Sequence, residues 1–478
     1  MARNILLVEP RYPTKYPPLG LMKLSTHHKS VGDRVHFVKG CDSDVAYEYW
    51  DRIYITTLFT YHWKITVEDI LFYKTMLHGD TSRIFVGGIM ASLMPDKLWR
   101  ETGIIPTVGI LDAPGIIDNT DSVIDDMIPD YSLFDGTKHH YTLLDSYIGY
   151  LTRGCVNKCK FCGVPQIEPH FRDYRGMIPW IEAINAHHGE KHHLVLFDNN
   201  IVASKKFEAI IQDILALGFH RGAKKNNRLR YVDFNQGTDA RLLKESHFQL
   251  LSQIGINPLR IAFDHVKYTK VYTAKIRLAA KYGIRNLSNY ILYNYDDTPG
   301  DLWQRLKLNI DFNRDLGLSI YSFPMKYVPL QATDRTHIHQ PYWNWQFIRG
   351  VQRILNVTKG IVMTGEEFFY RAFGESEEEF LRILHMPERI LMSRGRTPGP
   401  EEAAWITMFD ALTSGERKEL LAILCENRTQ KQLIGTIRKN QNTKLKTILD
   451  FYLPERQDNG QLAIWPEWDG TDPNEENR

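Results

Sequence analysis

The chain has 478 residues, of which 43% are hydrophobic and 24% charged, ordinary values for a globular protein with room for two or three cores. A net charge of +2 gives no global pull toward nucleic acid or membrane. No apolar run is long enough to span a bilayer, the residues at Met1 begin no secretory signal, and only five cysteines occur, which suits a reducing cytosol rather than a disulfide scaffold.

Residues 4–10 form a short apolar run closed by Pro10, which predicts a buried strand. Runs at 34–39, 52–58 and 83–89 predict three more, and 104–111 a fifth. Helical patterns such as 67–77 lie between them. This alternation predicts an α/β unit over residues 1–143, a doubly wound parallel sheet with helices on both faces. Ligands of such sheets sit beyond the carboxyl ends of the strands, which here bring up Tyr12, Thr56, Thr57, Gly87 and Gly88. Residues 112–145 lose periodicity and carry proline, glycine and acidic residues, the composition of a connection.

A second α/β unit is expected over residues 144–334, with strands at 147–151, 193–198, 230–235, 259–264, 286–294 and 318–328. Polar residues stand at or just beyond several strand ends: Asp198, Asn199, Asn200, Arg241 and Asp264. Each has a plainer reading. Asn199 and Asn200 can cap the next helix, Arg241 can pair with a surface acid, and Asp264-His265 can shape a turn. Thr298-Pro-Gly-Asp301 predicts a turn and a helix start. Residues 335–478 read as helical, with helices at 364–373, 375–391, 400–412 and 414–426, and with the aromatic cluster 342–347 as core. Between 427 and 447 lie six lysines and arginines and no acid. The basic stretch 428–446 can meet nucleic-acid phosphates or form a solvated helix face. Residues 469–478 read as disordered.

The chemistry is concentrated in Cys155-Val-Asn-Lys-Cys159-Lys-Phe-Cys162. Three thiolates in one short loop can wrap one face of an iron–sulfur cluster. A cubane held by three thiolates keeps one iron without a protein ligand, open to a small chelating molecule. A structural zinc site with His170 as fourth ligand is the alternative.

The loop resembles the C-x3-C-x2-C signature of the radical S-adenosylmethionine (SAM) enzymes, with Phe161 before the third cysteine and Gly163 after it. The resemblance implies a [4Fe-4S] cluster on Cys155, Cys159 and Cys162, with the SAM amino and carboxylate groups on the open iron. One electron, from a donor such as flavodoxin or ferredoxin, would cleave SAM to methionine and a 5′-deoxyadenosyl radical. It also implies that residues 144–334 form a partial (β/α)6 barrel with its chemistry at the strand ends. Asp198, Asn199 and Asn200 stand where the family often contacts the SAM ammonium. Arg241 falls where an arginine would hold the methionyl carboxylate, and Asp264 where a polar residue meets the ribose.

The front region resembles the cobalamin-binding-type domain that precedes many radical SAM domains, through Pro17-Pro-Leu-Gly-Leu-Met-Lys-Leu-Ser25 and Gly32-Asp-Arg-Val. The D-x-H-x-x-G motif, whose histidine would ligate cobalt, is absent. Both a bound cobalamin and a domain kept only as a lid stay open. The tail has no second cysteine cluster, which speaks against auxiliary iron–sulfur sites. The expectation is a cytoplasmic radical SAM enzyme that functionalises an unactivated C–H bond, with cobalamin-dependent methyl transfer. A cobalamin-independent radical modification of a nucleic acid or peptide is one alternative. A non-enzymatic iron–sulfur redox sensor is the other. No catalytic residue and no substrate follow from the sequence.

Overall fold

The computed structural model describes residues 2–117, 121–395 and 397–453. The disorder expected at 469–478 lies outside them. Strand β1 (Asn4–Glu9) is followed by α1 (Leu19–Ser30), β2 (Arg34–Lys39), β3 (Arg52–Thr57), α2 (Trp63–Met76), β4 (Ile84–Gly88), α3 (Ile89–Leu93) and α4 (Pro95–Thr102). The four strands pair in parallel in the order β2-β1-β3-β4. Alternation divides β1 between two cores. Leu6 and Val8 pack with Ile53, Ile55, Ile70 and Tyr73, whereas Ile5 and Leu7 face the opposite side.

The strand expected at 104–111 does not form. Pro106 has no N–H to give a ladder, and Gly109 sits at φ 82°. The segment runs irregularly, with the Thr107 N–H donating to the Val86 carbonyl at 2.8 Å.

The next strands and helices are β5 (Ser146–Gly149), α5 (Val164–Ile167), α6 (Ile178–His188), β6 (His193–Leu196), α7 (Phe207–Ala216), β7 (Lys224–Lys225), β8 (Arg228–Leu229), β9 (Val232–Phe234), α8 (Glu245–Leu251), β10 (Leu259–Arg260), α9 (Thr269–Lys281), β11 (Asn286–Tyr293), α10 (Pro299–Leu316) and β12 (Ser319–Lys326). β5-β6-β9 and β10-β11-β12 are parallel sheets. Parallel bridges Val232–Ile256 and Thr238–Ile261 join their neighbouring edges, so these strands lie side by side in chain order. β9 and β10 are shorter than expected. Gly237 at φ 85° turns the chain away after β9, and Pro258 stands directly before β10. The hairpin β7–β8 is unanticipated; its turn rests on Asn226 and Asn227 at φ 50° and 60°, the residue type that tolerates left-handed backbone.

The core entered by Ile5, Leu7 and Tyr54 continues through Tyr131 and Phe134 to Tyr147, Leu194 and Phe234. The two parallel systems therefore share one apolar interior. α10 begins with the capping box of Thr298 and Asp301 and turns Leu302, Leu306 and Ile310 toward the tail. There α11 (Trp345–Val357), α12 (Glu366–Phe373), α13 (Glu377–His385), α14 (Glu388–Ser393), α15 (Pro400–Asp410), α16 (Ser414–Glu426), α17 (Gln430–Lys439) and α18 (Thr443–Leu449) follow. Pro387 divides the helix expected at 375–391. Trp343 and Phe347 are core residues, as the aromatic cluster suggested. Arg428, Lys431, Arg438, Lys439 and Lys444 are exposed. Among the described residues no helix is long and apolar enough to cross a membrane.

Candidate active site

β5 ends at Gly149, and the chain turns through residues 150–154 into the cysteine loop. Asp198, 1% exposed just beyond β6, holds that turn. It accepts the Leu151 N–H at 3.1 Å, the Thr152 N–H at 2.5 Å and the Thr152 hydroxyl at 2.6 Å. Burial pushes its carboxyl up to about 6 against the pull of these donors. These contacts turn its oxygens onto the loop that leads to the cysteines.

Glu168 is a second clamp. It accepts the Gly154 N–H at 2.6 Å, the Asn199 amide at 3.2 Å and Arg153 at 3.3 Å. Gly154 lies at φ 71°, and a Cβ there would stand 2.4 Å from the His170 carbonyl oxygen, so the close crossing requires glycine. Arg153 stacks on Tyr150 at 3.6 Å and pairs with Asp125, which also takes Lys23 at 3.2 Å. Asp125 is held below the ordinary carboxylate range despite its burial, through Arg153 and Lys23. This buried network runs from α1 to the cysteine loop. Sequence reasoning missed it, because its members are spaced by tens of residues and carry no motif.

Cys155, Cys159 and Cys162 are half-buried. Burial raises the Cys159 and Cys162 thiols; Arg241 opposes this at Cys159, and the Val164 N–H opposes it at Cys162. Both thiols lie within electrostatic reach of the other cysteines and of Asp264. Among the described residues, no three His, Cys, Asp or Glu side chains converge as a single-ion site. His170 is exposed. Phe161 packs edge-on against Tyr295 at 5.6 Å, anchoring the loop tip to the end of β11.

The other candidates separate into two places. Asn199 lines the central cavity. Asn200 is 2% exposed, does not cap the following turn, and leaves Oδ1 without a partner among the described residues. Arg241 pairs with Asp239, with Nε at 2.9 Å from Oδ1 and Nη2 at 2.5 Å from Oδ2; this acid is half-buried rather than on the surface, and it also accepts the Asn157 amide at 2.7 Å. It nonetheless reaches Cys159. Asp264 follows β10, and burial pushes its carboxyl up to about 6, with Arg305 opposing. Arg305 donates to the Asp264 carbonyl oxygen at 3.0 Å. The turn chemistry there belongs to His265, whose Nδ1 accepts the Lys267 N–H at 3.0 Å. Arg241 and Asp264 thus flank the cysteine loop but do not line the cavity.

The carboxyl ends of the front sheet and of β5, β6 and β9 open on one cavity of about 830 Å³. Tyr12, Thr56, Thr57, Gly87 and Gly88 line its front side. Gly88 has a backbone reason: at φ 105°, a Cβ would stand 2.4 Å from the Thr57 carbonyl oxygen. It is required by the close approach of β3 and β4 rather than by room for a ligand. Phe59 and Tyr61, stacked at 4.9 Å, complete this side. No histidine, cysteine or methionine lies among the described residues lining the cavity.

No family model matches the chain, and no curated protein matches it. Solved structures are similar to it. The radical SAM methyltransferase TsrM from Kitasatospora setae, with cobalamin and a [4Fe-4S] cluster bound, aligns with a TM-score of 0.48 at 16% identity, over 69% of this chain and 77% of that chain. TsrM with its tryptophan substrate and the SAM analogue aza-SAM gives 0.49 at 16%, over 69% and 75%. Apo, selenomethionine-labelled OxsB, a cobalamin-dependent SAM radical enzyme, gives 0.45 at 14%, over 95% and 76%.

Proposed function

We propose that this chain is a cytoplasmic radical SAM enzyme in which Cys155, Cys159 and Cys162 hold a [4Fe-4S] cluster. Residues 1–143 would be its cobalamin-type domain, 144–334 its partial (β/α)6 barrel and 335–478 its helical region. The observation that carries the reading is the three-thiol loop at the carboxyl end of β5, fixed from below by Asp198 and Glu168. Three thiols in one short loop suit a cluster in which each thiolate takes its own iron. When bound, the cluster supplies the electron that splits SAM, and the resulting 5′-deoxyadenosyl radical can take hydrogen from an unactivated C–H bond.

The protein's own part is to bind, orient and exclude water. Asn200 brings a buried acceptor with no partner among the described residues, which fits the SAM ammonium. The Arg241 fork suits the methionyl carboxylate, in exchange for part of its pairing with Asp239. Asp264, once ionised, can accept from both ribose hydroxyls. The front side of the cavity, walled by Thr56, Gly87, Phe59 and Tyr61, suits a broad uncharged ligand such as a corrin. Methyl transfer is the reaction this pairing of sites favours; radical modification without cobalamin takes its place if the crevice holds no corrin.

The test is anaerobic reconstitution with iron, sulfide and hydroxocobalamin, followed by metal counts and reduction in the presence of SAM. The reading expects a cluster, retained cobalt and 5′-deoxyadenosine. A cluster without 5′-deoxyadenosine would support the redox sensor instead. Cleavage without retained cobalt would support the cobalamin-free enzyme.

A further inference from the structure

Asn235 follows β9 and is 6% exposed, on the cavity wall. Its main chain is firmly held: the N–H donates to the Leu196 carbonyl at 2.9 Å, and the carbonyl accepts the Tyr290 hydroxyl at 2.9 Å. Its side-chain amide is not. Nδ2 lies 3.4 Å from the Tyr16 hydroxyl and 3.5 Å from Asp233, and Oδ1 receives Gln236 at 3.4 Å. Good N–H···O bonds are about 2.7–3.2 Å. Asp233 is meanwhile gripped by two Arg260 nitrogens at 2.8 Å. A buried, rigidly placed amide whose contacts among the described residues are all long is one whose partner enters from the cavity.

Aromatic rings border that place. Tyr16, 46% exposed and contributed by the β1–α1 connection, meets Phe197 edge-on at 6.1 Å; Phe197 meets Tyr150 at 5.9 Å. The charges on the wall are already paired. Glu9 takes Lys39 at 3.2 Å, Lys23 takes Asp125 at 3.2 Å, and Arg153 takes Glu168 at 3.3 Å. A charged group entering here would lose hydration without gaining a counter-ion.

We propose, resting on the enzyme reading above, that this corner of the cavity seats the substrate. The part it seats is an uncharged planar ring carrying an adjacent hydrogen-bond donor and acceptor, paired edge-on with the Asn235 amide beside Tyr16 and Phe197. A carboxamide makes two parallel bonds to such an edge, as asparagine does with adenine. The flanking rings add stacking area. The adenine of SAM presents the same edge, so the test separates the two sources.

Full-chain protein saturated with S-adenosylhomocysteine, which fills any cosubstrate adenine site, is titrated with 2-pyridone, adenine, benzoate and benzylammonium by ligand-observed NMR. The two neutral rings are expected to bind and the two ions not to. Asn235→Ala should weaken the neutral rings roughly tenfold while leaving S-adenosylhomocysteine affinity unchanged. Asn235→Asp keeps the side-chain volume, removes the donor and should give the same loss, which guards against poor folding of the alanine variant. Ring binding unchanged in both variants, or a preference for an ion, would overturn the proposal. An equal fall in S-adenosylhomocysteine affinity would also overturn it, by giving the amide to the cosubstrate. The ring titration does not depend on SAM cleavage, so a lack of 5′-deoxyadenosine counts against the enzyme reading alone.

Discussion

Two mouths of parallel sheet face one cavity, and they are built differently. The mouth at β5 and β6 carries ionisable side chains turned onto its own backbone: Asp198 holds Leu151 and Thr152, and Glu168 holds Gly154. At the front mouth the ends of β3 and β4 carry no ionisable side chain; the clamp there lies behind β1, where buried Asp69 accepts the Arg11 N–H at 2.8 Å. Thr57 bridges the Gly87 carbonyl at 2.9 Å and the Ala91 N–H at 3.0 Å, and Thr56, Leu58, Phe59, Tyr61 and Ile89 line the cavity beside it. The first mouth fixes a loop that can grip something small and charged. The second shapes a surface that can lie against something broad and neutral.

The largest effect that would sharpen this contrast lies in the loop itself. Replacing Cys159 by alanine should remove both the cluster absorbance and all 5′-deoxyadenosine; residual product at more than background would break the account of this mouth. Next comes the clamp. Asp198→Ala leaves three buried donors unserved and should cost about 3 kcal/mol of stability, with loss of iron on reconstitution. At the front mouth, Thr57→Val should cost only about 1 kcal/mol and leave iron content unchanged. Equal iron loss in the two variants would erase the difference between the mouths. A third comparison stays within the front sheet. Gly88→Ala should lower stability by about 1–3 kcal/mol because of its positive φ and the nearby Thr57 carbonyl. Gly87→Ala, whose Cβ would sit 3.7 Å from the Thr107 oxygen, should be tolerated in thermal unfolding. The smallest effect concerns SAM itself. Arg241→Ala and Asp264→Asn should each weaken SAM roughly tenfold in calorimetry. With the Asp264 carboxyl pushed up to about 6, SAM affinity of the unaltered protein should fall as pH drops through 6, since the protonated group loses acceptor capacity; Asp264→Asn should flatten that limb.

Much of this layout is legible in the sequence because it rests on local chemistry. The cysteine spacing, the apolar runs of β1 to β4 and the capping box at Thr298 are all contained within short windows. Where windows failed, a backbone constraint prevailed: Pro106 and Gly109 prevent the strand expected at 104–111, and Pro387 divides a predicted helix. The roles within the site were less legible. Asp198 and Asn199 are neighbours in sequence, yet one is turned under the loop and the other toward the cavity. Arg241 looked free for a carboxylate but has Asp239 two residues away. Lys23, Asp125, Arg153 and Glu168 meet only through the fold, so no spacing announces them.

The central claim is that three cysteines hold a cluster with one iron open to SAM. Electron paramagnetic resonance of the reduced, reconstituted protein, recorded before and after addition of SAM, tests it most directly. The account predicts a [4Fe-4S]⁺ signal from about four irons per chain whose line shape changes when SAM is added. A signal that SAM leaves unaltered, or a protein that takes up one zinc and no iron, would contradict it.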